Sequence, residues 1–278
     1  MHTAMTNRRI AVLGAGNMGR ALITGLLRSG TRPEHLSVGE PSAASRERLA
    51  RELAITAAAD NAAAVAGASV VVLAVKPEEA RAALGALAGH WGARPPLLVS
   101  VAAGLRVAAL EAWCGPGVAV VRAMPNRPAL VGAAATGLFA PRAVAAPQRA
   151  VAEQLLRSVG EVIWVASEDA LDVVTALSGS GPAYLFLLAQ LMAEAGERLG
   201  LEGTAARRLA AVTLYGAGLL ATSGDGDLAR LRAEVTSPGG TTEAALRVLE
   251  DAKLSDTVAR ALGAATARAR ELAAACPD

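Results

Sequence analysis

A glycine-rich motif stands near the start of the chain. Gly14, Gly16 and Gly19 follow the short apolar run Ile10–Leu13 and precede a predicted helix over residues 19–28. In a G-x-G-x-x-G motif the first glycine allows a tight turn, the second lets a pyrophosphate approach the backbone, and the third lets the helix pack closely on the strand. The motif predicts a dinucleotide site. The simpler interpretation is a glycine-rich turn without a ligand.

Polar residues after the second predicted strand bear on the choice of cofactor. Glu40 lies 21 residues after Gly19, where an acidic side chain accepts a hydrogen bond from the ribose 2′-hydroxyl of NAD. Ser42, Ser45 and Arg46 follow, and they are donors that suit the 2′-phosphate of NADP, which Glu40 would repel. The same residues also suit a solvated loop and helix start. The sequence therefore leaves NADPH and NADH open.

Two further positions are expected at the same site. Asn61 opens the next predicted helix, where we expect it to be the N-cap residue. Val75, Lys76 and Pro77 stand at the carboxyl end of the apolar strand predicted over 70–75, the edge at which open α/β sheets bind ligands. For Lys76, a solvent-facing side chain without a ligand is the alternative.

Hydroxyls and glycines are concentrated again in the segment T-S-P-G-G-T-T at 236–242, just before a predicted helix over 241–249. Backbone N–H groups at a helix N-terminus suit a carboxylate, and the hydroxyls can bond a nitrogen. The alternative is an ordinary helix cap formed by Thr241 or Thr242. A second glycine-rich segment, S-G-S-G-P-A-Y at 178–184, interrupts a helical pattern, and Pro182 suits the first position of a new helix.

The residues argue against metal catalysis, cysteine nucleophiles and alcohol oxidation. His2, His35 and His90 all lie outside the helical half, and no histidine or cysteine pair has metal-ligand spacing, so we expect no metal. Cys114 and Cys276 suit a small buried apolar residue and a tail residue. Alcohol oxidation needs a base, whereas reduction of a protonated C=N bond does not.

Composition and charge exclude other partners. The net charge of +2 comes without basic stripes, which argues against nucleic acid. The most apolar later stretch, 184–192, is shorter than the roughly 20 residues that a spanning helix needs, so no membrane partner is expected. Two distant cysteines in 278 residues suit a reducing cytoplasm.

The order of apolar runs predicts two domains and an α/β fold. Runs at 10–13, 36–38, 70–75, 97–101, 118–123 and 162–165 alternate with helical stretches, which predicts a Rossmann-type doubly wound sheet, buried on both faces, in residues 1–166. Residues 167–278 predict an all-helical dimerisation domain, with helices at 169–177, 183–199, 204–221, 241–249 and 255–274. The 184–192 helix is apolar on nearly every side, which predicts a homodimer or a multiple of dimers.

The chain resembles the pyrroline-5-carboxylate reductases over nearly its whole length. The segments that carry the resemblance are GAGNMG at 14–19, AVKP at 74–77, SVAAG at 100–104, RAMPNRP at 122–128, LSGSGPAY at 177–184 and VTSPGGTT at 235–242. The last two are the most specific. The resemblance implies reduction of 1-pyrroline-5-carboxylate to L-proline by NADPH or NADH in a cytoplasmic homo-oligomer.

The resemblance also implies site residues. Ala102 and Pro182 would lie near the nicotinamide, and Glu168, paired with Asp169, would support the cofactor. The substrate would be held by Ser237, Gly239, Gly240, Thr241 and Thr242, with Thr242 as the catalytic residue on the ring nitrogen. Together with the motif residues, the complete predicted cofactor set is Leu13, Gly14, Ala15, Gly16, Asn17, Met18, Gly19, Glu40, Ser42, Asn61, Ala74, Val75, Lys76, Pro77, Ala102, Glu168 and Pro182.

Two other functions remain open at this level. A related hydroxy-acid dehydrogenase shares the architecture, but it should carry a lysine in the helix after the first interdomain turn, where this chain has only the residues of 178–184. A non-catalytic, dinucleotide-binding regulatory protein is the other alternative.

Overall fold

The computed structural model describes residues 8–92, 94–224 and 226–275. The chain divides into two compact units, described separately below. The first consists of the described residues through Gly179 together with those from Ala265 onward, and the second is Ser180–Ala264. These limits differ from the predicted boundary between residues 166 and 167, which stays a prediction.

An eight-stranded sheet forms the centre of the first unit, in the order β3-β2-β1-β4-β5-β6-β7-β8. Neighbouring strands are parallel except β6 and β7, which are antiparallel. The first six strands in the order 3-2-1-4-5-6 are the arrangement of a dinucleotide-binding fold. The strands are β1 Ile10–Leu13, β2 Leu36–Gly39, β3 Thr56–Ala58, β4 Val70–Leu73, β5 Leu97–Ser100, β6 Ala119–Met124, β7 Ala134–Phe139 and β8 Gly160–Trp164.

Helices connect the strands of this unit. They are α1 Asn17–Arg28, α2 Ala43–Leu53, α3 Asn61–Val65, α4 Pro77–Gly85, α5 Val107–Cys114, α6 Ala146–Arg157 and α7 Ala170–Val174. Short 3-10 turns occur at Pro33–His35 and Arg127–Val131, and a π-helical turn at Thr175–Gly179 follows α7.

The sheet is buried on both faces, as the continuous apolar runs predicted. Along β1, Ile10 and Val12 belong to one hydrophobic cluster, whereas Ala11 and Leu13 belong to the cluster on the other face. Every residue of β1, β4 and β5 is buried. Since successive side chains of a strand point to opposite faces, both faces must be covered by helices.

Two strands and one cap differ from the sequence predictions. The strands β3 and β7 were not predicted, because three residues of β3 and the Ala-Ala-Thr-Gly run of β7 lack a stretch of branched residues. Asn61 was predicted as the N-cap of α3, and this is wrong. Asp60 is the N-cap, because its carboxylate accepts a hydrogen bond from the Ala63 N–H, and Asn61 is the first helical residue.

The second unit is helical. It contains α8 Gly181–Arg198, α9 Gly203–Thr222, α10 Leu228–Glu234, α11 Thr241–Asp251 and the larger part of α12 Leu254–Ala274. The seven-residue helix α10 was not predicted, and α8 begins at Gly181, so that Pro182 is its second residue rather than its first. A small cluster of buried alanines, Ala193, Ala206 and Ala210, joins α8 to α9.

Most large apolar side chains of α8 are exposed. Tyr184, Leu185, Phe186, Leu187 and Leu188 are each 38–60% exposed. Among the described residues, one helical stretch of 29 residues, Ala170–Arg198, is long and apolar enough by length and composition to cross a membrane, and 22% of its most apolar window is buried. The prediction from 184–192 alone therefore underestimated the length of apolar helix in this part of the chain.

Candidate dinucleotide and substrate sites

The glycine-rich turn between β1 and α1 is held by close backbone contacts. A Cβ atom at Gly14, whose φ is +93°, would lie 2.9 Å from the Ala74 carbonyl oxygen, and one at Gly19 would lie 2.1 Å from the Gly14 carbonyl oxygen. Apart from its neighbours in the chain, no described residue lies within 4 Å of the Cβ position of Gly16, which is the N-cap of α1 and has no side chain to cap it. The first turn of α1 therefore presents backbone N–H groups beside open space, which fits the pyrophosphate of a dinucleotide.

Residues predicted around this turn come together at the carboxyl ends of the strands. The Ala74 N–H donates to the Leu13 carbonyl at 2.8 Å. The Asn61 side-chain oxygen lies so close to the end of β2 that a Cβ at Gly39 would be 2.3 Å from it. Ala102 follows β5 and is buried. The ligand-binding edge predicted for an open α/β sheet is thus lined by the predicted residues.

The segment after β4 runs directly past the glycine turn. A Cβ at Gly14 would lie 3.0 Å from Val75 Cγ1. Lys76 is the exposed N-cap of α4, Pro77 is the first residue of that helix, and the Lys76 N–H donates to the Glu79 carboxylate at 3.4 Å. The exposed Lys76 ammonium group is available either to a phosphate at this edge or to solvent.

Glu40 is bonded to the glycine turn itself. Its two carboxylate oxygens accept hydrogen bonds from the Ala15 N–H at 3.2 Å and the Ser42 N–H at 3.0 Å. The Ser42 hydroxyl caps α2 by accepting from the Ser45 N–H, and the Arg46 guanidinium donates to the Glu40 carbonyl at 2.9 Å. An acidic side chain and a cation therefore both lie just after β2.

Glu168 has a structural role that its sequence position did not suggest. One of its carboxylate oxygens accepts from the Arg122 guanidinium at 2.7 Å and from the Val107 N–H at 2.7 Å. Arg122 is 5% exposed and belongs to β6, and Val107 begins α5. Glu168 thus neutralises a buried cation and satisfies a helix N-terminus at once.

A second ion-pair group lies beside it. The Arg106 guanidinium donates to Asp169 at 2.7 Å and to Asp172 at 2.8 Å. Asp172 is buried, whereas the Asp169 side chain is 78% exposed. The sequence predicted no role for Arg106, Arg122 or Asp172, since their partners are more than 40 residues away along the chain.

The described residues include one of the two cysteines and bear on the question of a metal site. Cys114 is buried, and burial, with a smaller contribution from the Glu111 charge, raises its pKa to about 12. The thiol is thus protonated at neutral pH and is no nucleophile. Cys276 and His2 lie outside the described residues. Among residues 8–92, 94–224 and 226–275, no group of three or more metal-binding side chains is present.

The S-P-G-G-T-T segment forms a tight turn before α11. The Gly240 N–H donates to the Ser237 carbonyl at 3.0 Å, and the Gly239 N–H donates to the Glu243 carboxylate at 2.8 Å. Gly240 is the N-cap, with no capping side chain, so the alternative of a cap formed by Thr241 or Thr242 is wrong. The first N–H groups of α11, those of Thr241 and Thr242, have no partner within the helix.

The predicted site residues are divided between the two units. The cofactor residues other than Pro182 belong to the first unit, and Pro182 and the substrate residues belong to the second. The sequence predicted no role for Asn126 in the segment at 122–128, yet Asn126 is buried and both ends of its side-chain amide are hydrogen-bonded.

Comparison with known proteins identifies the chain. Residues 168–272 match the family model for pyrroline-5-carboxylate reductase dimerisation, and residues 9–104 match that for coenzyme F420-dependent NADP oxidoreductases. The pyrroline-5-carboxylate reductase of Pseudomonas aeruginosa is 47% identical over 269 residues, which cover 97% of this chain and 98% of that protein. The chain belongs to the pyrroline-5-carboxylate reductase family. The enzyme class, an oxidoreductase acting on a C=N bond with a nicotinamide dinucleotide, is thereby confirmed.

Solved structures of the family agree with this fold. The structure from Coxiella burnetii has a TM-score of 0.92 and 40% identity, covering 95% of this chain and 98% of its own. The Plasmodium falciparum structure, with NADP bound, has a TM-score of 0.82 and 27% identity, covering 97% of this chain and 100% of its own. The predicted fold class, a Rossmann-type domain followed by a helical dimerisation domain, is confirmed.

The Glu168 contacts lead to a stability prediction. Glu168→Ala should lower the free energy of unfolding by about 3 kcal/mol, because the buried Arg122 guanidinium loses its carboxylate partner. Asp169→Ala is the matched control and should cost less than about 1 kcal/mol, because that carboxylate is exposed. Urea denaturation measures both. Equal losses in the two variants would contradict a structural role for Glu168.

Proposed function

We propose that the protein reduces 1-pyrroline-5-carboxylate to L-proline, and that the residues predicted from the sequence form its cofactor and substrate sites. The observation that carries this proposal is the pairing of two open helix N-termini in one chain. One is the turn at Gly16, which has space for phosphates, and the other is the uncapped start of α11 at Thr241 and Thr242.

Each predicted substrate residue has a distinct proposed role. The N–H groups of Thr241 and Thr242 receive the substrate carboxylate, while Ser237, Gly239 and Gly240 shape the turn and add the Ser237 hydroxyl. The Thr242 hydroxyl bonds the ring nitrogen. The reduced dinucleotide supplies the hydride that reaches the C=N carbon. Because the nitrogen is already protonated, the site needs orientation more than a base, consistent with a helical half that has no histidine.

Oxidation of NADPH and NADH, followed by absorbance with and without 1-pyrroline-5-carboxylate, tests this function. We expect substrate-dependent oxidation of at least one cofactor. The same protein with a 3-hydroxy acid and oxidised cofactor is the comparison for a hydroxy-acid dehydrogenase. A rate that 1-pyrroline-5-carboxylate does not increase would contradict the proposal.

The role of Thr242 is tested by removing its hydroxyl. Thr242→Ala should lower kcat by about 10- to 100-fold, the loss of one hydrogen bond of about 1.5–3 kcal/mol to a charged group. Dinucleotide affinity, measured by fluorescence titration, should not change. Thr257→Ala, on the exposed face of α12, is the matched control and should leave kcat unchanged. An unchanged kcat in Thr242→Ala would leave Thr242 as a helix residue only.

For the cofactor, we propose that Glu40 weakens NADPH binding relative to NADH without excluding it. Its carboxylate is anchored to the Ala15 and Ser42 N–H groups, and Arg46 beside it offers a cation. Glu40→Ser should raise the ratio of kcat/KM for NADPH over NADH, because a negative charge beside the 2′-phosphate is lost. Glu34→Ser, an exposed acid in the same unit, is the control. An unchanged ratio would mean that Glu40 does not face the ribose.

We propose that the exposed apolar face of α8 is covered by a second copy of the chain. The support is the match of residues 168–272 to a dimerisation family and the exposure of five neighbouring large apolar side chains. A patch of this kind is larger than monomeric proteins usually expose. A symmetric pair of such faces would bury it, which also accounts for the apolar stretch at 170–198 without a membrane.

Assembly is tested by placing a charge on that face. Leu187→Glu should convert the dimer, or multiple of dimers, to smaller species in sedimentation, because the new carboxylate would be buried against apolar side chains. Ile163→Glu changes a similarly exposed residue of β8 in the first unit and should leave the assembly intact. A native chain that sediments as a fully active monomer would contradict the proposal.

The cytoplasm is the proposed location. Cys114 is a free thiol, and a reducing compartment suits a chain of this size that needs no disulfide. We expect neither nucleic acid nor membrane as a partner. Fractionation of the source cells is the measurement.

A further inference from the structure

We propose that Asn126 is a positioning residue for the reaction stated above, a proposal that rests on that function. Its side-chain amide holds the carbonyl group of Ser178 and thereby fixes Gly179 as one wall of a cleft beside the first turn of α1.

The sequence leaves the Ser178 carbonyl without its regular partner. In a continuous α-helix this oxygen would accept a hydrogen bond from the N–H four residues later. Residue 182 is proline, which has no N–H. The backbone here also departs from the α-helix, since Thr175–Gly179 is a π-helical turn and α8 begins only at Gly181. π-Helical turns are frequent at functional sites.

Asn126 supplies a donor in place of the missing one. Its Nδ2 donates to the Ser178 carbonyl oxygen at 2.9 Å, and its Oδ1 accepts from the Ala135 N–H at 3.0 Å. The two partners define which end of the amide is which, because a backbone N–H can only donate and a carbonyl can only accept. Asn126 is 8% exposed, so both bonds are shielded from water. The side chain thus connects β7 to the π-helical turn.

The π-helical turn ends at Gly179, which lies against the end of the Met124 side chain. A Cβ at Gly179 would lie 2.9 Å from Met124 Cε, at the end of β6. Gly179 and Asn126 line a cleft of about 230 Å³ together with Asn17 and Met18 of the glycine-rich motif. The position of the Ser178 carbonyl therefore sets how far the backbone at Gly179 stands from the first turn of α1, where the dinucleotide would bind.

An asparagine is suited to this task because it bonds in both directions. Aspartate at the same position can still accept from the Ala135 N–H, but an ionised carboxylate cannot donate to the Ser178 carbonyl. Asn126→Asp thus replaces the bond to Ser178 with repulsion between two oxygens and keeps the bond to Ala135. The effect of that single bond on the reaction can be separated from the effect of anchoring β7.

The first experiment compares Asn126→Asp with Thr136→Val. Thr136 is a buried residue of β7 whose hydroxyl has no hydrogen-bond partner among the described residues, so its replacement should be neutral. We expect kcat of Asn126→Asp to fall about tenfold, KM for 1-pyrroline-5-carboxylate to change less than about threefold, and Thr136→Val to match the native chain. An equal fall in both variants, or none in Asn126→Asp, would overturn the proposal.

Hydrogen exchange gives a readout that does not depend on activity. Peptides that cover residues 176–185 should exchange faster in Asn126→Asp than in the native chain or in Thr136→Val, with no dinucleotide added. If the native chain fails to reduce 1-pyrroline-5-carboxylate, the proposed function fails, and exchange still tests the link from Asn126 to the turn. If Asn126→Asp shows unchanged exchange and a native-like kcat, the link from Asn126 to the turn is refuted, whereas the proposed function is not.

A double-mutant cycle tests whether Asn126 replaces the N–H that is missing at residue 182. Pro182→Ala returns an N–H to residue 182 and offers the Ser178 carbonyl a backbone donor. The effects of Asn126→Asp and Pro182→Ala on kcat should therefore be non-additive, with the double variant more active than the product of the two single effects. Purely additive effects would show that the two residues do not serve the same carbonyl group, and would overturn the proposal.

Discussion

The first unit depends on close backbone packing at the glycine turn between β1 and α1. Gly19 must lack a side chain because a Cβ there would overlap the Gly14 carbonyl oxygen, and Gly14 must lack one because of the Ala74 carbonyl. These contacts bring the start of α1 against the ends of β1 and β4. Gly16 is different, since apart from its own neighbours in the chain no described residue lies within 4 Å of its Cβ position. The space that the packing leaves free is where phosphates can approach.

The sequence correctly predicted the strands that are buried on both faces. The strands β1, β4 and β5 are apolar at almost every position because both of their faces are covered, and such runs are visible locally. The strand β7 is different. Its Gly137 makes room for Val174, whose side chain would lie 2.8 Å from a Cβ at that position. That requirement comes from a residue 37 positions away, so no local pattern could predict it.

The same distinction applies to the sites. The glycine motif and the hydroxyl-rich segment were predicted because their chemistry is contained within a few consecutive residues. The Gly239 N–H, however, donates to the Glu243 carboxylate and is not available to a ligand. The first N–H groups of α11 are instead those of Thr241 and Thr242. The Arg122–Glu168 pair and the Asn126–Ser178 bond join residues 46 and 52 positions apart. Pairs of that kind depend on which strands become neighbours, and sequence patterns do not contain that information.

The second unit is stabilised in a different way from the first. Its buried core consists of alanines between α8 and α9, and each alanine removes little apolar surface from water, whereas the leucines of α8 remain about half exposed. A helical unit of this composition gains too little from its own core to offset the entropy of ordering its chain. The dimer proposed above would supply the difference, and residues 168–272 match a dimerisation family. For these helices, folding and association would then be a single process, and the turn that opens α11 would be ordered only in the assembled protein.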